Sequence, residues 1–399
     1  MKTLKPALAL VSAMLVIAPL AACAQTEPAG GEDTSAPEGE TAVVEEVVLG
    51  DILLGVGLPT TGGSAVLGEP MTHGIEMAVQ EINEAGGILG GAVTILQEET
   101  GADDAAALNS FNRLVSSDVA AVIGYPISTQ GFAIMTQIER SQIPTILGGT
   151  NSNLAGGGEW AFNMTSRDAI TSRAAAEFAN STLGYTKIGL LREAGELGTG
   201  ASEVITAAAA DLGMEIVNEQ IFQTGDVDLS SQANSIAASD IDMLFVYGQQ
   251  ADFIVISNAL ATAGAQFPTF IAGLQPGTYA SLNYDGFGRI YNRNQCIPSA
   301  ATEGPLFEWS QKYEAEFGAA PTEYAAIAYD GVKVLAQAIE NAESLEPEAI
   351  RDALTNLPLM QGICGPHVGT PEGNMSFGVT IGHYEESGYV PDEVLEVLP

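Results

Sequence analysis

Short apolar runs alternate with helix-spaced segments along nearly the whole chain, and this rhythm constrains the fold more than any other feature of the sequence. Leu49–Leu58 is apolar and strand-like, and the Gly-rich loop Thr60-Thr61-Gly62-Gly63-Ser64 follows it. Pro70–Ala85 carries Ile75, Ala78, Val79 and Ile82 at helical spacing and stops at Gly86-Gly87. Ala92–Gln97, Val119–Gly124 and Ile143–Leu147 read as strands, with helices at Asp103–Ser116 and Ser128–Ser141 between them.

A second series of the same kind begins near Arg167. Helix Asp168–Thr182 leads to strand Lys187–Leu191, helix Thr199–Leu212 to strand Glu215–Phe222, and helix Ser230–Ala238 to strand Asp242–Tyr247. Helix Ala251–Ala263 and strand Thr269–Ala272 complete it. After Cys296 come helical stretches at Glu303–Phe317, Tyr324–Glu343 and Glu348–Leu354, and from Gly365 a Gly-rich extended tail. Two βαβ series of similar length predict an α/β protein of two doubly wound parallel-sheet lobes. The late helical block has no strands of its own. The chain is therefore expected to return to the first lobe after about Asn294 and recross near Gly365, making a multi-strand hinge.

The first residues set the compartment. Lys2 and Lys5 precede the apolar stretch Ala7–Leu20, and Leu20-Ala21-Ala22 precede Cys23. This is signal-peptide architecture. Its end resembles the bacterial lipobox, which implies that Cys23 is diacylated and becomes the mature N-terminus. Residues 24–46 are polar, acidic and Pro/Gly-containing, and read as a disordered tether. The expected organisation is leader 1–22, anchor and tether 23–46, lobe 1 at 47–165 with about 295–364, and lobe 2 at 166–294 with about 365–399. The formal charge is −37, and loss of Lys2 and Lys5 with the leader makes it more negative still, a surface that repels nucleic acid. With Cys23 used by the anchor, an oxidising compartment favours a disulfide between Cys296 and Cys364, two separately buried thiols being the alternative. His73, His367 and His383 are scattered, so no metal site is expected, and no cofactor.

The stretch Gly74-Ile75-Glu76-Met77-Ala78-Val79-Gln80-Glu81-Ile82-Asn83-Glu84-Ala85-Gly86-Gly87-Ile88-Leu89-Gly90 resembles the signature of type I periplasmic binding proteins of the branched-chain amino-acid group. Val122-Ile123-Gly124, Ile143-Pro144-Thr145-Ile146 and Ala328-Tyr329-Asp330 match as well, and the resemblance covers roughly residues 47–389. It implies the periplasmic binding protein-like I fold. It also implies an extracytoplasmic, membrane-anchored, monomeric solute-binding lipoprotein of an ABC importer that hands a small polar solute to permease subunits. A ligand-sensing receptor subunit of the same fold is the alternative. Gly55-Val56-Gly57 lacks the third glycine of a dinucleotide loop, and no phosphate-binding loop, nucleophile elbow or His-Glu-x-x-His occurs, so no enzyme is expected.

In open α/β sheets, ligands sit beyond the carboxyl ends of the strands, where helix starts present free N–H groups. By the resemblance, Ser128, opening a helix after Tyr125-Pro126-Ile127, stands where the family serine binds the ligand carboxylate. Gly149 and Thr150 match the loop that supplies backbone groups and a hydroxyl, with one residue fewer. Thr129, Tyr125, Gln249, Gln275 and Tyr324 complete the expected contacts. The family's ammonium-pairing acid has no counterpart in Ile271-Ala272-Gly273-Leu274-Gln275, and Leu67, Leu197, Gln249 and Gln250 stand where aromatics are common. Either Glu193, Glu196 or Asp252 replaces that acid, or the ligand is not an α-amino acid but carries amide or hydroxyl groups.

Overall fold

In the computed structural model, the described residues are 47–396 except 102, 155, 157, 284–288 and 387. Elements are numbered in chain order. The first sheet holds β1 (Ile52–Leu58), β2 (Val93–Glu99), β3 (Ala121–Gly124), β4 (Thr145–Leu147) and β5 (Ala161–Asn163), in the order β2-β1-β3-β4-β5. All its pairings are parallel. Strands covered on both faces should be apolar without alternation, and β1 and β3 are: six of seven and all four of their residues are buried. The helices between are α1 (Ala65–Glu84), α2 (Asp104–Val115) and α3 (Ser128–Ser141). Asp103 caps α2 by accepting from the Ala106 N–H at 2.8 Å.

The second sheet is seven-stranded. Strands β6 (Lys187–Glu193), β7 (Glu215–Phe222), β8 (Met243–Tyr247), β9 (Thr269–Ile271) and β10 (Ile290–Asn294) run parallel in the order β10-β9-β8-β6-β7. Helices α4 (Asp168–Glu177), α5 (Glu196–Leu212), α6 (Ser230–Ala237), α7 (Gln250–Thr262) and the short α8 (Pro276–Tyr279) connect them. Leu190, Phe245 and Ile205 lie in the core on one face, and Leu191, Leu244 and Phe253 in the core on the other.

After β10 the chain returns to the first sheet as α9 (Gly304–Phe317), α10 (Glu323–Ala342) and α11 (Pro347–Thr355). Helix α10 shares a core with β1 and α1, which crosses it where Gly74 meets the Ala325 carbonyl; a Cβ on Gly74 would lie 2.1 Å from that oxygen. The tail corrects the sequence expectation. β11 (Met360–Gly362) and β12 (Gly365–His367) form a small ribbon. Residues 365–376 then stay with the first sheet: His367 Nε2 lies 3.1 Å from Asp330 of α10, and the Met375 N–H donates to the Asn163 carbonyl at 3.1 Å. The last crossing therefore falls at 376–378 rather than near Gly365. Beyond it the expected extended tail is a hairpin, β13 (Gly378–Glu385) and β14 (Gly388–Glu396), that adds two antiparallel strands to the second sheet beside β10.

Three crossing segments lie side by side. The Ser166 N–H donates to Gln295 Oε1 at 2.9 Å, the Ser166 hydroxyl donates to the Gly378 carbonyl at 2.7 Å, and Gln295 Nε2 donates to Ser376 Oγ at 3.1 Å. Cys296 and Cys364 are disulfide-bonded beside them, with Cα atoms 5.1 Å apart.

Candidate functional site

The carboxyl ends of β1 and β3 face those of β6, β7 and β8 across a cavity of about 430 Å³. Gly63, Ser64, Val66, Leu67, Ile127 and Thr129 line it from the first sheet; Glu193, Gly195, Thr224, Gly225, Gln249, Gln250, Ala251 and Asp252 line it from the second. The two sides touch at the rim, where Asn151 Nδ2 donates to the Glu196 carbonyl at 2.5 Å.

On the first-sheet wall, α3 begins without a side-chain cap, because Ile127 occupies the capping position. The first-turn N–H groups of this 14-residue helix therefore point, with the positive end of its dipole, toward the cavity that Ile127 and Thr129 line. Ser128 is buried in that turn and its Oγ accepts from the Asn151 N–H at 3.3 Å, which leaves its O–H proton available. Gly149 packs against Ser128; its carbonyl accepts from Asn163 and Thr165, each at 2.7 Å.

Of the eight expected contacts, Ser128 and Gly149 are not among the residues that line the cavity, and four more are directed elsewhere. Tyr125 is fully buried and turned away from the cavity: its ring packs edge-on to Phe111 and its OH lies 2.9 Å from Ser110 Oγ. The Thr150 hydroxyl donates to Asp168 Oδ2 at 3.2 Å, so it faces the hinge. Gln275 lies outside the cavity, donating to the Gly273 carbonyl at 3.2 Å and to Glu323 at 3.5 Å. Tyr324, on α10, is directed at Gly273 and lines no part of the cavity either. Thr129 and Gln249 do line it. Cys23 lies outside the described residues.

Of the three candidate acids, Glu196 is exposed at the start of α5 and meets the first sheet only through its carbonyl. Asp252 caps α7, its two oxygens accepting from the Gly225 N–H at 2.9 Å and the Gln249 N–H at 3.0 Å. Glu193 remains. It ends β6, is 2% exposed, and accepts from Thr224 Oγ1 at 2.8 Å and Gln249 Nε2 at 3.5 Å. Burial pushes its carboxyl above the ordinary range, against the pull of those hydrogen bonds. Gly198 makes this geometry possible, since a Cβ there would lie 2.1 Å from the Glu193 carbonyl. A lone carboxylate at the end of an apolar parallel strand was the signal in the sequence, and it did not by itself single out Glu193.

Sequence reasoning also missed the polar links below the cavity. Arg293 of β10 pairs with Asp168 at 2.6 Å, and Glu323 at the start of α10 accepts from Asn294 and from the Gln295 N–H. The polar run Asn292-Arg293-Asn294 inside a strand was the available cue. Ser376, His367 and Asp330 line up by hydrogen bonds of 2.8 and 3.1 Å, in the order of a nucleophile relay. All three are 1% exposed, and Asp330 also accepts from the Ile363 and Cys364 N–H groups, so this relay ties the tail to α10.

Two α/β sheets that enclose a cavity between their carboxyl ends, joined by three adjacent crossings, define a two-lobed binding protein. Residues 51–388 match the family model of periplasmic binding proteins, and the chain belongs to that family of solute-binding proteins, which are not enzymes. It is 25% identical over 342 residues to Leu/Ile/Val-binding protein homolog 8 of Brucella abortus, covering 81% of this chain and 84% of the relative. Among solved structures, the leucine-binding protein LivK of Thermotoga maritima superposes with a TM-score of 0.79 at 22% identity, over 86% of this chain and 99% of that one. A fatty acid ABC transporter substrate-binding protein of Thermomonospora curvata gives 0.80 at 19%, over 88% and 94%. At these identities the structures speak for the fold.

Proposed function

We propose that this protein is the extracytoplasmic solute-binding component of an ABC importer, held at the membrane by a lipid on Cys23. It captures a small polar solute, an amino acid or a related amide or carboxylate, between its lobes and delivers it to a membrane permease. The cavity between the two sets of strand ends carries this reading. Its size suits a small molecule, and its opposite walls belong to the two sheets that the three crossings connect. The solute docks on the first lobe, where Ser128, Thr129 and the free N–H groups of α3 favour a carboxylate or amide carbonyl. Closure of the second lobe then adds Gln249 and Thr224 and excludes water. The names of the relatives, Leu/Ile/Val-binding proteins, support an amino-acid-like solute.

The test is native mass spectrometry of protein purified without added ligand, followed by calorimetry with the solute it retains. Ser128→Ala with Thr129→Val removes two hydroxyls from the start of α3. A hydrogen bond to a charged group contributes about 1.5–3 kcal/mol, so affinity should fall at least about 10-fold while the ligand-free melting temperature stays within a few degrees. Unchanged affinity would place the solute elsewhere.

A further inference from the structure

We propose that the Cys296–Cys364 disulfide is a redox-sensitive brace on the hinge, opened by a small neutral thiol that reaches it through an apolar cavity. This cavity, of about 270 Å³, is lined by different residues from the one between the strand ends. Both halves of the disulfide stand in its wall. The rest of the wall comes from both lobes. Ile363 belongs to the turn between β11 and β12, Val379 and Leu395 to the hairpin on the second sheet, and Ile297 and Leu306 to the segment that returns to α9. Among the described residues, no charged side chain lines it. A charged reductant would have to shed its water there without gaining a partner. The formal charge of −37 also repels anionic thiols before they arrive. The chemistry that fits is a neutral thiol or dithiol.

The position of the bond gives its opening a consequence. Cys296 follows Gln295, whose side chain links all three crossings by accepting from the Ser166 N–H and donating to Ser376 Oγ. Cys364 is held to the first lobe, its N–H donating to Asp330 Oδ2 of α10 at 2.8 Å. A Cβ on Gly378 would lie 3.0 Å from the Cys364 carbonyl and 3.1 Å from the Gln295 carbonyl, so the third crossing packs against both. The disulfide thus pins the second crossing to the first lobe where the third turns into β13. Cys296 is 6% exposed and Cys364 1%, so attack falls on Cys296 Sγ. The reductant's thiolate bonds to that sulfur, the S–S bond breaks, and Cys364 leaves as a thiolate that takes a proton from water. A second thiol then displaces the reductant from Cys296, leaving two protein thiols and a disulfide of the reductant, a two-electron exchange. Two thiols need more room than one bonded pair, and the cavity supplies it. The freed crossing widens the range of lobe orientations. Closure around a solute, which rests on the reading above, must then order more and becomes costlier.

The experiment uses the full-length mature protein without added solute and follows Cys296 and Cys364 by alkylation and peptide mass spectrometry. Neutral 2-mercaptoethanol and anionic 2-mercaptoethanesulfonate are compared at equal thiolate concentration in high salt, which screens the surface charge. The neutral thiol should react at least about 10-fold faster, because the anion enters the cavity unpaired. Ala301→Phe, which fills the cavity, should remove that advantage and leave the rates in urea-unfolded protein unchanged. After reduction with dithiothreitol, amide exchange at 290–297 and 376–380 should rise about 10-fold while the amides of β8 stay protected. The double variant Cys296→Ala, Cys364→Ala should match the reduced protein, and it decides the matter where reduced protein aggregates. Equal rates for the two thiols, or reduction only as fast as global unfolding, overturn the access route. Hinge exchange that stays unchanged overturns the brace. Protection lost from β8 as well overturns it too, because the bond then holds the whole fold. Calorimetry with a solute retained in native mass spectrometry should show weaker binding after reduction, and equal or tighter binding overturns the link to closure. If no solute is retained, the solute-binding reading falls while the thiol and exchange results still decide the brace.

Discussion

Arg293→Met should cost far more stability at pH 7.5 than at pH 5, and the asymmetry follows from the environment of one carboxylate. Arg293 Nη2 lies 2.6 Å from Asp168 Oδ1, with side-chain exposures of 7% and 0%. The Asp168 backbone N–H donates to the Thr150 carbonyl at 2.9 Å and its Oδ2 accepts from the Thr150 hydroxyl. The pair thus joins the loop after β4, the start of α4 and strand β10. Removing one partner of such a buried pair costs about 3–5 kcal/mol, because the survivor is left charged and dry. Burial has pushed Asp168 up to about 6 even with Arg293 beside it, and without the guanidinium it rises further. At pH 5 the variant's Asp168 is a neutral carboxylic acid and much of the cost disappears. Asp168→Asn has no such escape, because Arg293 cannot lose its proton at either pH. The double variant Asp168→Asn, Arg293→Met should then be more stable than the sum of the singles implies, by about 1–3 kcal/mol. Urea denaturation of the ligand-free protein at both pH values measures all of this. Costs that add to within about 0.5 kcal/mol, or an Arg293→Met cost that does not change with pH, would refute the reasoning.

Other tests are independent of that pair. Asp168, Glu193 and Glu323 all have carboxyl groups raised by burial, Asp168 to about 6, so between about pH 4 and 6 the folded protein holds protons that the unfolded chain has released. Stability should therefore be highest at the acid end of that window and fall as pH rises through the folded values, Asp168 contributing about 3 kcal/mol at most; a melting temperature that climbs from pH 5 to 7.5 would contradict this. Reducing the disulfide opens a loop with a sequence separation of 68. Chain entropy predicts a loss of up to about 4 kcal/mol, and finding two reactive thiols in denatured, unreduced protein would remove the basis for it. Cys23→Ser should release the protein from the membrane fraction, and persistent acyl labelling of that variant would disprove the anchor.

The fold class was legible because it depends on a rhythm that side-chain detail cannot erase. Buried parallel strands must be apolar, and Lys187–Leu191 and the strand around Leu244 announced themselves. What escaped were elements whose local chemistry contradicts their place. Strand β10 carries Asn292, Arg293 and Asn294, polar residues tolerated because each finds a buried partner far away in sequence. The hairpin β13–β14 is punctuated by Gly378, Gly382 and Gly388, so it read as extended chain without showing its pairing. The site divided along the same line. Position along a strand or helix can be read, so Thr129 and Gln249 were placed near the cavity. The direction of a side chain leaving a loop cannot. Tyr125 has a left-handed backbone, φ 49°, and its ring goes inward to Phe111, while the Thr150 hydroxyl finds Asp168, 18 residues on.

Glu193 ends β6 and Gln275 follows β9, and the sheet brings both strand ends to one edge. In a parallel sheet every strand delivers its carboxyl end to the same edge, so the loops after β6, β8 and β9 are neighbours although about 80 residues separate the first from the last. β6 and β9 flank β8 on either side. A carboxylate at the end of either strand can reach a ligand held against the opposite lobe, provided nothing bulky intervenes and its hydrogen bonds hold it in place. At β6, Gly195 and Gly198 clear the space, and Thr224 and Gln249 from the two adjacent strand ends hold the carboxylate. At β9 the same edge now carries Gln275, whose amide is turned back onto Gly273 and Glu323 and closes the hinge side of the cleft. An acid placed there, as Gln275→Glu, would face the buried Glu323 carboxylate and should destabilise the protein without improving amine binding. Tighter binding of an amine-bearing probe by that variant would show that the β9 position still reaches the ligand.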